Sequence, residues 1–75
     1  MDLLGVYECN MINEEGKKIT YYKALIGERK QEGGYNIALV KATRKLYEDY
    51  LQNPPLYDVD LYFDRYGRAY GIITN

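Results

Sequence analysis

With 75 residues and a formal net charge of −1, the chain has room for one domain, and folding can bury only about 60–65% of the surface that the unfolded chain exposes. One cysteine and no histidine or serine exclude an internal disulfide, a Cys₂His₂ or Cys₄ zinc site and a Ser-His-Asp triad. What stands out is ten tyrosines beside a single phenylalanine and no tryptophan, each phenol an apolar face with a hydroxyl that tolerates water.

The chain opens with Met1-Asp2-Leu3-Leu4-Gly5-Val6-Tyr7-Glu8, which has no basic residue and no long apolar run, so no signal peptide is expected there. Leu3 to Ile12 reads as a strand, with Cys9 as a small buried hydrophobe rather than a reactive thiol. Asn13-Glu14-Glu15-Gly16 forms a hairpin connection, with Gly16 free to take a positive φ. A second strand, Lys18 to Glu28, is rich in β-branched and aromatic residues and ends at the polar run Arg29 to Gly34.

Tyr35 to Val40 fits two readings. It is either a third strand leading into a helix from Thr43 to Gln52, or part of one helix capped by Asn36 and running from Ile37 to Gln52. In both readings Leu39, Thr43, Leu46, Tyr47, Tyr50 and Leu51 line one helical face, and Asn53-Pro54-Pro55 stops the helix. Tyr57, Val59, Leu61 and Phe63 then alternate with Asp58, Asp60, Tyr62 and Asp64, a half-buried strand with its acidic side in water. Arg65-Tyr66-Gly67 turns the chain into a last strand, Arg68 to Thr74.

The expected fold is one α+β domain, residues 1–75, of mainly antiparallel β structure. It is either an OB-like five-stranded barrel with one helix between strands 3 and 4, or a four-stranded antiparallel sheet (ββαββ) packed on one long helix. Tyr47, Tyr50, Tyr57 and Tyr7 are expected to join the core. No segment has the apolar length of a membrane-spanning helix, and one unpaired cysteine fits a cytoplasmic setting. A core this small gains from self-association, so a homodimer is expected.

Charge is segregated along the chain. Residues 1–16 are acidic, 17–30 basic, Lys41, Arg44 and Lys45 basic, 46–64 acidic, and Arg65 with Arg68 basic. Such blocks pair across hairpins in many folds. In two places, however, cations interleave with tyrosine: Lys17-Lys18-Ile19-Thr20-Tyr21-Tyr22-Lys23 and Arg65-Tyr66-Gly67-Arg68. Single-stranded nucleic acid needs that pairing, cations for phosphates and aromatic faces for unstacked bases. The candidate binding residues are therefore Lys17, Lys18, Tyr21, Lys23, Arg65, Tyr66 and Arg68. Asp58, Asp60 and Asp64 would repel a phosphate backbone from their strand face, and their spacing suits a solvated surface better than a Mg²⁺ site. No metal, cofactor or catalytic group is expected.

Gly16-Lys17 followed by Tyr21-Tyr22, and the run from Pro55-Leu56-Tyr57-Asp58-Val59-Asp60-Leu61-Tyr62-Phe63 through Asp64-Arg65-Tyr66-Gly67-Arg68, cover about half the chain. Through them the sequence resembles the small OB-fold single-stranded-DNA-binding proteins of filamentous phages and related mobile elements. The resemblance implies a dimer that binds single strands cooperatively, and nominates Tyr21, Lys23, Arg65, Tyr66 and Arg68 as contacts. The acidic face around Tyr62 departs from the family pattern. A different function class also fits the composition: a small phage-type inhibitor or adaptor that binds a protein partner through tyrosine and arginine.

Overall fold

The computed structural model describes residues 1–54 and 56–74; Pro55 and Asn75, and with Pro55 the second half of the expected proline stop, lie outside the described residues. Five strands and one helix follow in the order β1 (Asp2–Ile12), β2 (Lys18–Arg29), β3 (Tyr35–Ala42), α1 (Arg44–Gln52), β4 (Val59–Phe63) and β5 (Ala69–Thr74). The molecule is thus α+β, with one five-stranded sheet ordered β1-β2-β3-β5-β4. All neighbours are antiparallel except β3 and β5, which meet in parallel at Ala42 and Ala69.

Tyr35 to Ala42 is a strand, which removes the long-helix reading and with it the four-stranded sheet and the Asn36 cap. Gly33 and Gly34 both take positive φ and close the β2–β3 connection, where Gly33 N donates to Lys30 O and Lys30 N to Gly34 O, each at 3.2 Å. Once that turn forms, every residue from Tyr35 to Ala42 finds a partner on Tyr22 to Arg29. A paired strand then outcompetes a helix that Ile37 and Val40, both β-branched, favour weakly. The helix starts instead at Arg44, where the Thr43 hydroxyl accepts from Leu46 N at 3.3 Å. It ends before Pro54, where Asn53 N donates to Tyr50 O at 3.0 Å.

The core comprises Leu3 and Val6 of β1, Ala24 of β2, Ala42 of β3, Leu46 and Tyr50 of α1, Val59 and Leu61 of β4, and Ala69 of β5. Alanines at Ala42 and Ala69 let the two parallel backbones approach, and Thr43 N donates to Ala69 O at 2.9 Å. A bulge between Leu3 and Gly5 bends β1 across the helix, and the Tyr50 hydroxyl donates to the Leu4 carbonyl there at 2.9 Å. The two outer strands of the sheet meet at their beginnings. The Met1 amine donates to Val59 O (3.0 Å), Val59 N returns a bond to Met1 O (2.8 Å), and Leu3 exchanges two more with Leu56.

Several core assignments are corrected. Tyr50 is buried and Tyr47 partly so, against Tyr22, but Leu51 of the expected helical face is exposed and Leu39 sits on β3. Tyr57 and Phe63 drop out of the buried side of β4. Asp58 adopts a left-handed φ of 54° before the strand begins, and the β4–β5 register slips between Tyr62 and Phe63, so the alternation holds only over Val59 to Leu61. Tyr7 lies on the outer face with its ring folded over Gly5, and Cys9, two residues further along the same unbroken register, shares that face and is only partly buried.

Candidate nucleic-acid interface

Two hairpin turns flank the sheet, and both use one local design. Asn13 Oδ1 accepts from the amides of Glu15 (3.0 Å) and Lys17 (2.9 Å), while Asn13 N donates to Lys17 O and Gly16 N to Asn13 O. Asp64 repeats the pattern, accepting from Tyr66 N and Arg68 N at 2.9 Å each, with Asp64 N to Arg68 O and Gly67 N to Asp64 O. Gly16 and Gly67 supply positive φ at the same position of each turn. In the second turn the carboxylate also holds Arg68 Nε at 2.8 Å. These amides, Arg68 N first, hold the Asp64 carboxyl below its ordinary pKa. The Asp64 carboxylate therefore serves the turn.

Between β2, β3, the helix start and this second turn lies an open groove of about 520 Å³. Its floor and walls are Tyr21, Tyr22 and Lys23 of β2, Lys41 of β3, Arg44 of α1 and Arg68 of the turn, with Met11, Thr20, Ala42 and Thr43 completing it. Lys23 and Lys41 are directly opposed across the β2–β3 ladder. Neither takes part in an ion pair among the described residues. Like charges facing each other across a ladder oppose folding. Arg44 and Arg68 are oriented by carboxylates four residues away, Glu48 at 3.0 Å and Asp64 at 2.8 Å, each held through Nε.

Tyr21 lies beside these cations, with Lys23 Nζ 6.0 Å from its ring centroid. Tyr22 points to the opposite side of the sheet at the groove's edge, where its ring meets Tyr47 at 5.2 Å and its hydroxyl donates to Glu8 at 3.3 Å. Burial and the Glu8 carboxylate push the Tyr22 phenol up. At the turn tip Tyr66 is 63% exposed, with the guanidinium of Arg65 5.1 Å from its ring and that of Arg68 at 5.4 Å. Exposed cation–aromatic contacts of this kind are worth about 0.5–1 kcal/mol, enough to bias the ring's position without fixing it.

The structure thus brings together Tyr21, Lys23 and Arg68 of the sequence-derived candidates, with Tyr66 and Arg65 clustered on Arg68. It separates Lys17 and Lys18. Lys17 sits on the first turn 3.9 Å from Glu15, and Lys18 borders a different depression with Asn10, Met11, Ile12 and Gly16. Sequence reasoning missed Lys41 and Arg44. Both belong to a basic block with no adjacent tyrosine, and their aromatic neighbour comes from β2, so a search for local interleaving passes over them.

Protein-family models, curated proteins and solved structures offer this chain no match. Among the described residues no three of the His, Cys, Asp and Glu side chains converge as metal ligands, and no helix is long and apolar enough to cross a membrane.

Proposed function

We propose that the protein is a non-catalytic module that binds single-stranded nucleic acid along the groove, on a sheet arranged as an OB-type barrel. The strand order, the parallel β3–β5 contact, the helix between the third and fourth strands and the meeting of β1 with Val59 all support the barrel reading. One observation carries the function: Lys23 and Lys41 face each other without an ion-pair partner among the described residues, next to Tyr21 and two pre-oriented arginines. A phosphate chain supplies the missing negative charge, and Tyr21 offers a face to an unstacked base. The resemblance to phage and mobile-element single-strand binders points the same way. A protein-binding adaptor has a separate observation in its favour, the exposed stack of Tyr62 on Tyr70 at 5.8 Å and 25°.

Intrinsic fluorescence reports on the tyrosines alone, Tyr21 and Tyr22 of the groove among them, since no tryptophan is present. Titration with oligo-dT should quench it. Four groove cations, each neutralising one phosphate, predict a slope of log affinity on log salt of about −3, or roughly fifty-fold weaker binding at 200 mM than at 50 mM salt. Binding without a salt slope, or no binding, would sink this reading and favour the adaptor.

A further inference from the structure

Three tyrosine rings lie over glycines of the sheet, each where an added Cβ would meet the ring: Tyr7 over Gly5, Tyr35 over Gly27 and Tyr62 over Gly71. A glycine lets an aromatic ring settle onto the backbone, leaving its other side toward solvent. Two of the three have other duties. Tyr35 is tied through its hydroxyl to the Asp2 carboxylate. Tyr62 stacks on Tyr70 and shares its side of β4 with Asp60, whose carboxylate repels phosphate. Tyr7 has different neighbours. It is 47% exposed and stands opposite Lys23 in the β1–β2 ladder, just as Lys41 stands opposite Lys23 in the β2–β3 ladder. Partners across a ladder share one face, so Tyr7, Lys23 and Lys41 form a single row. Tyr21, opposite Cys9, is the diagonal neighbour of Tyr7, about 7–8 Å away between Cα atoms.

We propose that Tyr7 is a second stacking platform for the bound single strand: one base rests on Tyr21, another on Tyr7, and Lys23 takes a phosphate between them. This rests on the single-strand reading and extends the contact from the groove onto β1. The placing follows from the register. Tyr21 lies two residues to one side of Lys23, and the Tyr7 ring leans to the other side, over Gly5 and toward the level of Leu25. Every base has a π-face, so the two rings accept any sequence. A ring already seated on the sheet loses little freedom when a base covers it. Gly5 belongs to the platform. A Cβ there would come within 2.5 Å of the Tyr7 hydroxyl and 2.7 Å of its Cζ, so alanine lifts the ring. The backbone itself tolerates the change, because Gly5 is not among the glycines with positive φ.

Comparing oligo-dT of eight nucleotides with an abasic octamer isolates stacking, since both carry the same phosphates. The wild-type protein should prefer oligo-dT by about 25-fold or more, fivefold or more for each stacked base. Tyr7→Ala and Tyr21→Ala should each reduce that preference about fivefold or more and leave the salt slope and the affinity for the abasic octamer unchanged. Tyr7→Phe keeps the ring face and should keep the preference. Gly5→Ala, which retains the tyrosine, should lower the preference in the same direction, with the circular dichroism unchanged. If Tyr21→Ala lowers the preference and Tyr7→Ala does not, the second platform is overturned and the single-strand reading stands. Equal losses toward both oligomers in Tyr7→Ala would mark a structural role and also overturn it, as would full preference in Gly5→Ala. A wild-type protein that binds neither oligomer removes the proposal and the single-strand reading together.

Discussion

Lys23 and Lys41 oppose each other, and neither is ion-paired among the described residues, so removing one should separate stability from function. Lys41→Ala is expected to stabilise the free protein by about 0.2–1 kcal/mol, by relieving like-charge repulsion. It should also weaken oligonucleotide binding and flatten the salt slope by about 0.7. Denaturant melts and salt titrations on the same variant check both halves; a variant that loses stability and keeps its affinity contradicts the assignment. Tyr21→Ala should cost about 1–3 kcal/mol in affinity if a base stacks there. Tyr66→Ala should cost less, because its ring lies at the turn tip between two arginines and not on the groove floor. Lys17→Ala, outside the groove, should leave the salt slope unchanged.

At the scale of elements, the helix is held by one polar contact as well as by its buried face. Tyr50 is buried among the core residues and caps the Leu4 carbonyl that the β1 bulge leaves over. Burial pushes its phenol up. Tyr50→Phe keeps the packing and removes the donor, so it should cost about 1 kcal/mol in a chemical-denaturation measurement, with a larger loss for Tyr50→Ala. The matched turns at Asn13 and Asp64 show how equal local geometry serves different ends. Asp64 carries a charge and so orients Arg68 toward the groove, whereas the neutral Asn13 makes only the turn.

Across the whole molecule, Asp2 ties distant parts of the chain together. Its buried carboxylate accepts from the Tyr35 hydroxyl at the start of β3 and from Asp58 N (2.9 Å) ahead of β4. These bonds, Tyr35 first, hold the Asp2 carboxyl below the ordinary 3.8, and the same bond with burial lifts the Tyr35 phenol to about 12. As the pH falls, the unfolded chain takes up the Asp2 proton before the folded one does. The latch therefore stabilises the fold above the ordinary carboxylate pKa and is lost as the pH drops through the folded-state value. At the alkaline end the unfolded Tyr35 ionises first, so stability falls between about pH 10 and pH 12. Asp2→Asn should flatten the acid limb of a melting-temperature profile, and Tyr35→Phe should remove the late step of tyrosinate absorbance near pH 12.

The sequence by itself determined the outer strands, both hairpin turns, the helix from Thr43 onward and its stop at Asn53-Pro54, because each is written in local chemistry: glycine for positive φ, a hydroxyl cap, a proline break. It also marked Tyr21, Lys23 and Arg68. Residues 35–42 escaped it, since Ile37 to Val40 is too short an apolar run for periodicity to separate strand from helix, and the deciding partners lie on β2. Lys41 and Arg44 escaped it for the same reason, as their place beside Tyr21 exists only once β2 and β3 are paired. The exposure of Tyr7, Tyr57 and Phe63 was likewise a tertiary outcome. A bulge, a left-handed residue and a register slip each turn a side chain over, and a two-residue period counts none of them.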